Sequence, residues 1–454
     1  MSRGARETDT APTTSERPQI GPVRPARAPR VSEEALAGGL HGLAVRRAAV
    51  PLVELRLVAP LGPDQLARPA PPVVLGESML SGTRAHDRSG LATALERIGA
   101  SLRASVSGDL LVLSGSCLAP SLASLLDLLA EVLAGAAYPR PEVEADRGRT
   151  AEEMAIVLSR PEVLADEAFA RRRFGRHPYA AGLPRPGDLL AVEAPALRRL
   201  HRRLLAPSRS HLVLVGDLQP KSALGRAEHA LGPWLETGAA EAPAALPPIP
   251  PAPAGGIDLV DRPGAVQSNL RIGAAAPDRT AEEWPALSLA NQIFGGMFTS
   301  RLVTNLRERN GYTYSPRSRI EHLRAGSVST IGAEVATEAT AAALVETRYE
   351  LGRIATTGVT EEEVESARRY AVGSYLYQTA TQSGLAGTLA GLAAAGIDPS
   401  YLATYPARLA RVTAREVGEA ARRWLAPCSM VTVVLGDSAR IAGSLRSIDE
   451  VSTA

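Results

Sequence analysis

Residues His201–Asp217 read HRRLLAPSRSHLVLVGD and residues Ala421–Asp437 read ARRWLAPCSMVTVVLGD; at a shift of 220 positions, eight of the seventeen are identical. Each copy predicts a helix end stopped by proline, then an apolar strand that turns at Gly-Asp. Upstream, Val143, Glu144 and Arg147 match Val364, Glu365 and Arg368 at a shift of 221. A repeat this long is far beyond any solenoid period and implies a duplicated domain. Between the copies, Glu241–Gly256 carries six prolines in sixteen residues. Proline lacks a backbone N–H and favours extended chain, so this stretch predicts a stiff linker. The expected organisation is a tail at 1–35, a domain at 36–240, a linker at 241–256, a second domain at 257–447 and a short tail at 448–454.

Composition narrows the function classes. Lys+Arg 50 against Asp+Glu 48 leaves a net charge of +2, so no strong basic field invites nucleic acid or an anionic membrane. Two cysteines, Cys117 and Cys428, cannot build a CxxC…CxxC zinc site or a disulfide framework. Met1–Arg30 is rich in Arg and Pro with no apolar run suited to a signal. No later stretch reaches the ~18 uninterrupted apolar residues that a membrane span needs. A cytoplasmic chain with a disordered N-terminal tail is expected.

Local patterning predicts α+β domains, each with a largely antiparallel sheet and helices packed on one face. Leu52–Val58 alternates as a half-buried strand. Ser89 is read as the N-cap of a helix bearing Leu91, Leu95 and Ile98. Leu102–Val106 and Leu110–Cys117 flank Ser-Gly-Asp as a hairpin, followed by a leucine-rich helix at Pro120–Leu133. The second half repeats the order: a strand at Asn269–Gly273, a helix at Ala281–Phe294, strands at Thr313–Glu321 and Ser327–Val335, and a helix at Glu338–Ile354.

Several motifs recur in a fixed order. Glu77-Ser78-Met79-Leu80 precedes Gly82-Thr83; Glu152-Glu153 precedes Pro161; His177-Pro178-Tyr179 precedes Gly182. Then follow Asp261-Arg262-Pro263-Gly264, Gln267, Gly295-Gly296, Ser300-Arg301-Leu302, and Leu306-Arg307-Glu308 leading to Tyr312-Thr313-Tyr314. Over Leu36–Leu445 this set resembles the M16 peptidases, the pitrilysin, insulin-degrading and mitochondrial-processing-peptidase group. That resemblance implies their metallohydrolase fold, the LuxS/MPP-like one. Active members carry H-x-x-E-H on a helix, where two imidazoles at i and i+4 grip one zinc ion and the glutamate acts on its water. Here the two histidine positions hold Val74 and Ser78, and only Glu77 remains. One of Glu152 and Glu153 matches the family's distal carboxylate ligand. Valine has no lone pair and a serine hydroxyl is a poor zinc ligand, so no metal is expected in this chain. Glu77, Glu152 and Glu153 then read equally well as salt-bridged or structural helix residues, and His177 as a turn or packing residue.

The second half keeps something else. In two-component relatives, the zinc-less subunit carries an Arg and a Tyr seven residues apart, and Arg307 and Tyr314 have that spacing. By resemblance they would serve a zinc site on a partner, an H-x-x-E-H-bearing M16B paralogue, donating hydrogen bonds to the oxyanion that forms there. Zinc is expected in the partner and no cofactor here. The implied function is the non-catalytic subunit of a heterodimeric peptidase that encloses a peptide substrate, such as the leader peptide of a ribosomal natural product. On spacing alone, Arg307 reads as an exposed helix residue and Tyr314 as a strand-end packing residue; the surrounding motif favours the functional role. The rival is a catalytically dead scaffold, comparable to the core subunits of respiratory complexes; a homodimer with unrelated activity is a further alternative. Gly295-Gly296 reads as a tight turn.

Overall fold

The computed structural model describes residues 28–237, 244–251 and 255–453. They form two six-stranded sheets. The first contains β1 (Val31–Ala35), β2 (His41–Arg46), β3 (Leu52–Pro60), β4 (Ser101–Ser107), β5 (Leu110–Leu118) and β6 (His211–Gly216), in the order β1-β2-β6-β3-β5-β4. The second contains β7 (Ile257–Asp261), β8 (Gln267–Ala276), β9 (Arg317–Leu323), β10 (Gly326–Ala336), β11 (Val431–Gly436) and β12 (Val451–Thr453), in the order β12-β7-β11-β8-β10-β9. From β2 and β7 onward the two orders are the same path. The internal repeat lands on corresponding elements: the helices Ala194–Leu204 and Ala414–Trp424, then β6 and β11. Each sheet is antiparallel except where β2 meets β6, β7 meets β11 and β12 meets β7.

Three expectations need correction. The N-terminal tail drawn to residue 35 ends earlier, because Val31–Ala35 pairs with β2, its Glu33 reaching His41 at 2.6 Å. The tail drawn from 448 holds β12, which pairs with β7. Both are short, polar edge strands with no apolar alternation to mark them. The N-cap is Asp87 and not Ser89: the Asp87 carboxylate accepts from the Gly90 N–H at 2.7 Å and starts the helix Arg88–Arg97. Residues 1–27 of the tail, 238–243, 252–254 and Ala454 lie outside the described residues, so the linker reading applies to 244–251 and 255–256, where no regular element forms.

Each sheet carries helices of its own half on one face. The other face is covered by a helix from the opposite half. Leu385, Ala386 and Leu389 of the helix Gln382–Ala394 pack on Leu43, Val45, Val58, Val213 and Val215 of the first sheet. Reciprocally, Ala168, Phe169 and Phe174 of the helix Pro161–Phe174 pack on Val328, Val431 and Val433 of the second. The approach is close: a Cβ on Gly273 would sit 2.7 Å from the Phe169 ring, so β8 tolerates only glycine there. The same helix straps the linker down. Arg173 donates to the Pro250 carbonyl at 2.9 Å, and His177 Nε2 to the Pro247 carbonyl at 2.9 Å. The linker is tied at Pro250 by the helix and at Pro247 by His177 just beyond it, and the halves are interlocked by exchanged helices. Among the described residues, no single helix is long and apolar enough to cross a membrane.

Three histidines, His201 buried and His211 and His322 half-buried, are held neutral in this framework. His201 accepts from the Tyr138 hydroxyl at 2.7 Å and donates to the Leu133 carbonyl at 2.8 Å, and burial lowers its pKa. Burial, with His41 and Arg324 adding to it, pushes His211 down to about 4. Burial and then Arg279 push His322 to about 4. In the unfolded chain such rings titrate near ~6.5. The unfolded state therefore binds more protons between that value and 4, and folding stability falls as pH drops through this window. Thermal melts should lose several degrees between neutral pH and pH about 4.5. Asparagine at His211 and His322 should flatten that slope; an unchanged slope would show that other groups set it.

Candidate functional site

The degenerate motif lies on the helix Ala70–Ser78, whose first turn is set by Pro71 and Pro72. Val74 and Ser78, one turn apart, both face inward and are fully buried. Val74 joins the core beside Leu75 and Met79. The Ser78 hydroxyl finds no hydrogen-bond partner among the described residues. Glu77 points differently, to Arg149 on the helix Arg140–Leu158, with Oε2 2.9 Å from Nη2. Arg149 also meets Glu153 Oε1 at 3.2 Å and lies 3.7 Å from Asp146 Oδ1. Glu77's hydrogen bond, with a smaller one from Glu153, holds the Arg149 guanidinium well above its ordinary pKa. Glu152 is exposed and joins none of these contacts. Asp146, nearly buried, is shared with Arg88 at 2.7 Å, and Arg88 also pairs with Glu142.

These residues do not fit zinc. A valine, an inward serine and two carboxylates already engaged by a guanidinium offer no tetrahedral donor set. Among the described residues, no three His, Cys, Asp or Glu side chains group so as to hold a metal ion. Sequence reading passed over Arg149, as it did Asp146 and Arg88. The i,i+4 relation of Arg149 to Glu153 was visible, but its contact with Glu77, 72 positions away, depends on how two helices pack.

The second cluster is built on an irregular stretch. The expected helix Ala281–Phe294 is α-helical over Trp284–Asn291, then widens into a π turn at Gln292–Gly296. Gly295 sits where a Cβ would come 2.8 Å from the Ser318 Cβ, so packing explains that glycine. Ser300 caps the short helix Arg301–Val303, and a second π turn covers Thr304–Arg309. Arg301 anchors the segment through a bidentate pair with Glu363 at 2.7 and 2.8 Å. Such wide turns re-aim side chains that a regular helix would direct elsewhere.

Here Arg307 and Tyr314 do come together. The Arg307 guanidinium carbon lies 4.8 Å from the Tyr314 ring centroid and 4.6 Å from that of Phe298. Its Nε meets Glu308 Oε1 at 3.2 Å. Tyr314 is 81% exposed and Phe298 68%, which is unusual for large rings. The guanidinium lies against both aromatic faces, and with Nε turned to Glu308 its Nη N–H groups stay available as donors. The phenol O–H stands in solvent beside it. A positioned guanidinium and a phenol can both donate to a peptide carbonyl. Phe298 was not singled out from the sequence, although it is one of only four phenylalanines and falls inside the Gly295–Leu302 motif.

The M16 insulinase model matches residues 75–187, and the model of the M16 peptidase inactive domain matches residues 191–370. An uncharacterized zinc protease of Streptomyces coelicolor is 25% identical over 298 residues, 64% of this chain; the match spans just under two thirds, 64%, of that protein's length. An uncharacterized zinc protease of Mycobacterium tuberculosis is 25% identical over 361 residues, covering 77% of this chain and 81% of that protein. The probable inactive metalloprotease YmfF of Bacillus subtilis is 25% identical over 66% of this chain and 74% of its own length. Among solved structures, an M16 peptidase inactive domain from Pseudomonas fluorescens superposes with a TM-score of 0.82 at 24% identity, over 90% of this chain and 98% of that one. A Helicobacter pylori protease superposes with a TM-score of 0.78 at 18% identity, over 90% and 99%. With both halves matched in order and the fold shared across nine-tenths of its length, this chain belongs to the M16 peptidase family and carries that family's fold with valine and serine at the two zinc-binding histidine positions.

Proposed function

We propose that this chain is the zinc-less subunit of a heterodimeric M16B metallopeptidase, pairing with an H-x-x-E-H-bearing paralogue in the cytoplasm. The observation that carries the reading is the Arg307–Tyr314 pair, held together with Phe298 on an exposed, irregular turn. A pure scaffold has no use for two hydrogen-bond donors presented in this way. The partner's metal would polarise the peptide bond, while Arg307 and Tyr314 hold the carbonyl oxygen and stabilise the charge that develops on it. The interlocked halves would form one rigid wall of the enclosing chamber, so that opening occurs between subunits. A short or unfolded peptide fits such an enclosure, a leader peptide of a ribosomal natural product being one candidate.

Co-expression with the H-x-x-E-H paralogue of the same organism tests the reading. The expected outcome is a one-to-one complex with zinc in the partner and peptide hydrolysis by the pair alone. Stoichiometric zinc and unaided hydrolysis in the isolated chain would overturn it. A stable complex that cleaves nothing would favour the scaffold.

A further inference from the structure

Three carboxylates from two helices converge on one guanidinium. Glu77 arrives from the helix Ala70–Ser78, and Asp146 and Glu153 from the helix Arg140–Leu158, with oxygens 2.9, 3.7 and 3.2 Å from Arg149 nitrogens. Asp146 is nearly buried, so its charge is poorly screened by water. Asp146 also pairs with Arg88 at 2.7 Å, so Arg149 is the cation that Glu77 and Glu153 share, and Glu77–Arg149 is an ion pair that crosses between the two helices. Glu77 is the acid that remains of the degenerate motif, and Glu153 is one of the two residues, with Glu152, that match its distal carboxylate. The histidine positions have gone to the core, and the charge between the acids is balanced from within the chain.

We propose that Arg149 is a tethered cation that has replaced a metal between these helices. With Arg88, which pairs with Asp146 at 2.7 Å, it offsets the charge of Glu77, Asp146 and Glu153, bridges the two helices, and closes the site to divalent ions. A guanidinium suits this role because it stays charged at any physiological pH and has enough N–H groups to serve several carboxylates at once. The idea concerns this chain alone and stands or falls independently of any partner.

The test removes the cation and asks whether a metal can take its place. In the presence of EDTA, Arg149→Ala should melt below the wild type, and Arg149→Lys should recover much of the loss. Millimolar Ca²⁺ or Mn²⁺, which favour carboxylate oxygen ligands, should raise the melting temperature of Arg149→Ala and leave the wild type unmoved. A second arm restores donors: in a Val74→His/Ser78→His background, zinc should bind at least about tenfold more tightly once Arg149 is also alanine, a gap of ~1.4 kcal/mol. Val74 and Ser78 are fully buried, so circular dichroism must first show that this background folds; if it does not, the Ca²⁺ and Mn²⁺ melts decide alone. An Arg149→Ala melt equal to wild type, or one that divalent ions leave unchanged, overturns the proposal. So does equal zinc affinity with and without Arg149.

Discussion

Replacing Arg307 with alanine is expected to slow peptide hydrolysis by the assembled pair about 10²–10³-fold, the usual cost of deleting one preorganised oxyanion donor. Tyr314→Phe should cost a comparable factor through loss of a single O–H, since the ring that stacks on Arg307 remains. If both donors act on charge that appears only in the transition state, kcat falls while KM holds. Phe298 makes a useful contrast. It has no donor, so Phe298→Leu should cost less, by loosening the guanidinium that its ring holds at 4.6 Å. Complex formation and zinc content should be unchanged in all three variants, because Phe298 and Tyr314 are exposed and none of the three side chains belongs to either core. Wild-type hydrolysis rates in Arg307→Ala and Tyr314→Phe, with assembly intact, would remove the functional role assigned to the pair.

The spacing of that pair could be read from residues alone, and so could the repeat that locates it. Local signals carried the reading that far: proline before a strand, alternation along β3, the Ser-Gly-Asp turn between β4 and β5. What escaped was long-range. The helix Pro161–Phe174 shows an apolar stripe, but a stripe says only that a face is buried and not which sheet buries it. Its exchange onto the second sheet, and that of Gln382–Ala394 onto the first, could not be inferred. β1 and β12 are polar edge strands whose pairing comes from the backbone, which leaves no mark in side-chain pattern. The π turns at Gln292–Gly296 and Thr304–Arg309 shift register by a residue each, so a regular helix was expected where an irregular one presents Phe298. Nothing in the sequence singles out Arg149 or Arg271, because Glu77 for the one and Asp166 and Glu334 for the other lie far away along the chain.

Arg271 is the more consequential of those two for the chain as a whole, and removing its partners should give the largest stability loss outside the apolar core. It projects from β8 with 1% exposure, beneath the exchanged helix. Its Nε meets Asp166 of that helix at 2.6 Å, and its Nη1 meets Glu334 of β10 at 3.1 Å. The Glu162 carbonyl, also on the helix, accepts from Nη2 at 3.4 Å. A buried cation without a counter-charge is costly, so Asp166→Ala/Glu334→Ala should destabilise the fold by about 3–5 kcal/mol. Asp166 is half exposed and solvent covers part of its loss, which places the expected value at the lower end. Adding Arg271→Met should return most of the stability, since an apolar side chain of similar length needs no partner in that position. The double variant should also become sensitive to proteolysis near 244–251, because the helix that carries Asp166 also carries Arg173, which holds the linker through Pro250. If the double variant unfolds at the wild-type denaturant midpoint, the ion pairs contribute nothing, and apolar contacts such as Phe169 against Gly273 hold the two halves together unaided.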